Sequence, residues 1–124
     1  MPERIQRRRT RGWKMPPNTV SVTRPGKFGN PFSVKVYGLD VSLELFANAV
    51  KGEWTRKPVE HLPAAEADAT YQLHNEWRGR LDYLPEHAIR TELRGKDLAC
   101  WCALPAEGQP DKCHATQLLE IANA

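Results

Sequence analysis

Residues 95–122 read GKDLACWCALPAEGQPDKCHATQLLEIA, a stretch that holds all three cysteines of the chain together with His114. Leu98, Cys100 and Cys102 alternate with Ala99 and Trp101. That is the period of a β-strand, so a strand over residues 96–102 would turn both thiols to one face. Residues 103–110 carry two prolines and a glycine, which is loop chemistry. Asp111 then reads as the N-cap of a helix whose apolar positions are Ala115, Leu118, Leu119 and Ala122. Cys113 and His114 fall in its first turn, where free backbone N–H groups and the helix dipole favour a thiolate over a thiol.

Three readings of these four residues stand open. Cys100, Cys102, Cys113 and His114 match a Cys3His metal site in number and type, and zinc suits thiolate plus imidazole. Their spacing is tighter than usual, since zinc motifs commonly set paired cysteines two to four residues apart and here the pairs are CxC and an adjacent Cys-His. In a second reading Cys100 and Cys102 are small buried hydrophobes on a core strand and His114 merely begins a helix. A reactive thiol is the third. The donor set puts the metal ahead of the other two.

With 124 residues the chain can bury one core but not two. No apolar run is long enough for a membrane-spanning helix, and the basic N-terminus lacks the apolar segment of a secretory signal. Three cysteines are an odd number, two of them only two positions apart, which argues against a disulfide scaffold and for a reducing cytoplasm. The net charge of +3 is unevenly spread. Residues 1–14 hold six basic side chains against Glu3 alone, a net +5, which leaves −2 for the remaining 110.

Residues 1–18 therefore read as a basic N-terminal arm, and 19–124 as a single α/β domain. Within the arm, Arg7, Arg8, Arg9 and Arg11 suit phosphate contacts, and Trp13 could stack on a base or anchor the arm on the domain. A solvated tail is the alternative. Thr19 to Thr23 forms a short strand by its β-branched content. Residues 26–32, GKFGNPF, are turn chemistry throughout, and a glycine-rich loop after a strand is where α/β proteins cradle phosphates. Arg24, Lys27, Gly29 and Asn30 are the candidate anion pocket. The loop lacks both the GxGxxG pattern and the GK[ST] ending, so a tight turn pinned by Phe28 and Phe32 is the competing reading.

Asp40 can cap a helix from Val41 to about Gly52, with Leu43, Phe46, Ala47 and Val50 on its apolar face. A longer helix from about Pro63 to Arg80 would bury Ala65, Ala69, Leu73, Trp77 and Leu81. His74 lies between its two faces and reads as structural or exposed rather than catalytic. A third helix starts at Pro85 and stops at Gly95. The crossover is long enough for the two strands to be parallel neighbours in a small two-layer or Rossmann-like domain, a short parallel sheet with about four helices. Parallel strands would send the GKFGNPF loop and the cysteine loop off the same carboxyl edge, where open α/β sheets bind ligands.

IQRRRTRGWKMPPNTVSVTRPGKFGNPF near the start, with LRGKDLACWC and CHATQLLEIAN near the end, resembles the family called domain of unknown function 4326, of phage and bacterial proteins. The resemblance covers nearly the whole chain. It implies that Arg24, Pro25, Gly29, Asn30, Pro31 and Phe32, with Cys100, Cys102, Cys113 and His114, belong to the family's shared pattern. A tryptophan is usual there at the position of Phe28, so an aromatic ring is kept. No activity comes with the name, while a phage origin and a cytoplasmic role, in a bacterium or an infected host cell, become expectations.

The functional expectation is a zinc-binding α/β domain beside an anion pocket for a nucleotide or a nucleic-acid phosphate. Four protein ligands would make the metal structural, whereas three would leave a position for water and hydrolysis. No carboxylate is well placed as a base, since Asp111 already serves as a cap, so whether the protein is an enzyme stays open. The alternatives are a non-catalytic nucleic-acid binder that uses the arm, and a phage protein that binds and inhibits a host protein.

Overall fold

The computed structural model describes residues 2–24, 26–81 and 84–124. Its sheet has three short parallel strands, β1 (Arg4–Gln6), β2 (Thr19–Ser21) and β3 (Asp97–Cys100), in the order β1-β3-β2. Arg4 pairs with Leu98 and Gln6 with Cys100 on one side of β3, and Thr19 pairs with Asp97 and Ser21 with Ala99 on the other. Between β2 and β3 run α1 (Val34–Tyr37), α2 (Leu39–Lys51), a 3-10 turn (Lys57–Val59), α3 (Ala64–Arg80) and α4 (Pro85–Leu93). α5 (His114–Ala122) ends the chain. This is a small α/β fold, as the sequence predicts. No helix of the described residues is long and apolar enough to cross a membrane.

Two compact units make up the chain, Met1–Gly29 with His87–Ala124, and Asn30–Glu86. The first contains the whole sheet and α5, with Val22, Ile89, Leu93, Leu98, Ala99, Ala115 and Leu118 fully buried. In the second, Phe32, Leu45, Phe46, Ala49, Val59 and Trp77 are buried, and the Phe46 and Trp77 rings lie 5.0 Å apart.

Several local expectations need correction. Part of the stretch read as an arm is a strand of the sheet, because Arg4–Gln6 pairs with β3 and Arg7 N donates to Cys100 O at 2.8 Å. Asp40 lies inside α2, which Gly38 precedes as N-cap. The helix ends at Gly52, whose left-handed φ of 76° favours glycine. The buried stripe of α3 is Ala67, Thr70, His74 and Trp77, while Ala65 and Ala69 face out. Polar residues hid that face: Thr70 Oγ1 donates to Glu66 O and bonds the Tyr37 hydroxyl, so it is buried with its hydrogen bonds made.

Candidate metal centre

β3 stops at Cys100, and Cys102 sits just beyond it, exposed, in a bend. The two thiols nevertheless meet, with Sγ atoms 3.7 Å apart. Cys113 arrives from the far end of the 103–112 loop as the extended N-cap residue of α5. The three Sγ atoms all lie within 4.8 Å of one another. Tetrahedral zinc with Zn–S bonds of about 2.3 Å holds its sulfurs about 3.8 Å apart, so the cluster needs little adjustment to close on an ion. All three cysteines are free, with Cys100 and Cys113 buried. The exposure of Cys102 rules out a pair of core hydrophobes on one strand face.

His114 is the first residue of α5 and is buried. Its Nε2 lies 2.7 Å from Val22 O, and a carbonyl only accepts, so Nε2 carries the proton. Nδ1 is then the lone-pair nitrogen, 4.0 Å from Cys113 Sγ. An imidazole that ligates a metal through one nitrogen commonly donates from the other to a carbonyl in this way.

Three thiols in one pocket cannot all ionise easily. Hydrogen bonds from Cys102 and Cys113 hold Cys100 well below the usual thiol range. The hydrogen bond to Cys100 pushes Cys102 up, and hydrogen bonds to Cys100 and Cys102 push Cys113 up, because the first thiolate takes their protons as donors. A bound cation would reverse that order, favouring thiolate at every position.

Asp111 is not the helix cap. Its carboxylate accepts from Arg4 Nε, from Arg4 Nη2 at 2.9 Å and from Thr116 Oγ1 at 2.9 Å. The same guanidinium donates to Cys102 O at 2.8 Å and Ala103 O at 2.7 Å. Arg4, 8% exposed, thus clasps both ends of the loop between the cysteines. Burial opposes its charge, but the hydrogen bond to Asp111 and that carboxylate's charge outweigh it, and its pKa is raised. Sequence reasoning missed this residue, whose partners lie about a hundred positions away.

The candidate anion residues are placed less simply. Lys27 pairs with Glu92 at 2.6 Å. Gly29 N donates to Gly26 O, and Gly26 N to Thr23 O. Asn30 begins the second unit, where Nδ2 donates to Ser42 Oγ and Oδ1 accepts from Phe32 N, both at 2.9 Å. Arg24 is exposed, and Pro25 lies outside the described residues. Of the N-terminal candidates, Arg8, Arg9 and Arg11 are exposed and Trp13 is half-buried.

The class these observations define is a small α/β domain with a three-cysteine cluster, able to hold a metal ion, at the carboxyl edge of its parallel sheet. The chain belongs to the family described as Domain of unknown function (DUF4326), which matches residues 5–124. No curated protein and no solved structure matches it.

Proposed function

We propose that the chain is a zinc-binding domain in which Cys100, Cys102, Cys113 and His114 Nδ1 ligate one ion, and that the sheet edge beside it takes the phosphate of a nucleotide or nucleic acid. The observation that carries the metal is the convergence of three sulfurs within 4.8 Å, with His114 Nδ1 outside that cluster but 4.0 Å from Cys113 Sγ. Four protein ligands close the coordination shell, so the ion is structural and ties the end of β3 to the start of α5. Asp97 and Asp111 are engaged as acceptors for Glu3 N and Arg4, which fits a stitch better than a hydrolytic centre. The phosphate reading rests on Arg24 beyond β2, on the basic run beyond β1, and on the tendency of parallel sheets to bind ligands at this edge.

Elemental analysis and native mass of the purified protein, before and after chelation, test the centre. One zinc per chain is expected, lost together with helical signal on chelation. Alkylation of Cys113 should be slow until the chelator is added. Protein that takes up no zinc on titration, with thiols that label at once, would overturn the assignment.

A further inference from the structure

Trp101 lies between Cys100 and Cys102 and is 38% exposed. A large apolar ring at a loop start is placed there by its neighbours. The Arg7 guanidinium carbon stands 4.3 Å from the indole centroid, and that of Arg9 stands 4.4 Å away. Arg7 is fixed in that position, because its Nη1 donates to Ser21 Oγ at 3.1 Å and Thr23 Oγ1 at 3.0 Å, and its backbone N–H to Cys100 O. Arg9 is exposed, and no acceptor for its guanidinium is seen among the described residues. Arg8 and Arg11 are also exposed and belong to the segment that carries +5.

We propose that Trp101, with Arg7 and Arg9 stacked on it and the exposed Arg8 and Arg11 in the same basic segment, is a binding surface for single-stranded nucleic acid. The proposal deepens the phosphate reading above and rests on it, naming the partner. Arg9, exposed and stacked on the indole, keeps its in-plane N–H donors for phosphate oxygens, while its outer flat face, backed by the indole, accepts a base. Bases within a duplex are already stacked and do not offer that face, so a single strand is favoured. An acidic peptide would satisfy the charges but leave the aromatic platform without a role. Because Trp101 is flanked by two proposed ligands, the metal would hold the platform in place.

The test is fluorescence anisotropy of a labelled 12-nucleotide oligothymidylate with the full zinc-loaded chain. Affinity should exceed that for a duplex of equal length. For three to four phosphate contacts it should fall on the order of 30-fold between 50 and 200 mM salt. Trp101→Ala should lower affinity on the order of tenfold, whereas Trp101→Phe, which keeps a π-face, should retain most of it. Trp101→Leu keeps bulk without the face and should behave like the alanine variant. Alanine and leucine variants that bind as tightly as the parent overturn the proposal, as does equal affinity for the duplex or equal competition by a polyglutamate peptide. Zinc content read on the same samples separates the two claims. Zinc-loaded protein that ignores the strand overturns the surface alone, and protein that takes up no zinc on titration yet binds the strand overturns the metal centre alone.

Discussion

Arg4 carries a charge into a place that excludes water, and it does so with four hydrogen bonds, two to Asp111 and one each to Cys102 O and Ala103 O. Removing one partner of such a pair leaves the other under-solvated, which costs about 3–5 kcal/mol. Arg4→Met should therefore lower unfolding free energy by about 3 kcal/mol in urea titrations, while Asp111→Asn, which keeps an acceptor, should lose about 1 kcal/mol. A change within about 0.5 kcal/mol for Arg4→Met would mean that the clasp is a surface pair of no consequence. His74 poses the opposite case. Burial first, and the Arg78 charge second, hold its pKa below the ordinary 6.5. Its ring lies 5.4 Å from Trp54 and its Nδ1 has no hydrogen-bond partner among the described residues. The unfolded chain thus takes up the proton more readily than the folded one. The stabilisation from neutral His74 is whole above about pH 6.5 and is lost as pH falls through the lower, folded-state value. Between pH 7.5 and 5.5 the urea midpoint of the parent should drop further than that of His74→Phe, and equal drops would rule the linkage out.

At the scale of elements, the β3-loop-α5 segment was legible in its parts and not in its closure. Alternation marked the strand, the prolines marked the loop, and Ala115, Leu118 and Ala122 marked the buried side of α5. What placed the thiols together was less visible, since the strand ends before Cys102 and the loop is drawn in by Arg4 from another strand. β1 itself was hidden because three residues within a run of arginines carry no pattern, and its side-chain partner is 107 positions away. The stripe of α3 was misread because a buried threonine and histidine look solvated in a sequence. Gly29 has a structural reason to be glycine as well. A Cβ there would stand 2.8 Å from Arg24 N and 2.9 Å from Arg24 Cα, so the chain needs glycine to cross its own backbone. Gly29→Ala should lower stability by about 1–3 kcal/mol in thermal denaturation without any ligand present. An alanine variant as stable as the parent would return Gly29 to a role in ligand binding alone.

For the whole molecule, the two units differ in what holds them. The first has three strands of three, three and four residues, too short to be self-sufficient, and its edge is joined to α5 through the cysteine cluster, the bond from His114 Nε2 to Val22 O and the Arg4 clasp. The second has helices of 13 and 17 residues around Phe46 and Trp77, with Arg78 Nη1 donating to Ala49 O at 2.8 Å. A metal bound only in the folded state adds its binding free energy to the unit that contains it. Stripping it should therefore loosen the two units unequally. Hydrogen exchange followed by mass spectrometry, with and without chelator, should show faster exchange in β1, β3 and α5 while α2 and the Thr70–Trp77 part of α3 stay slow. An even acceleration across both units would mean that the chain melts as one body and that the cysteines hold more than their own unit. No acceleration anywhere would mean that the sheet edge stands without the ion, and the stitch would lose its purpose.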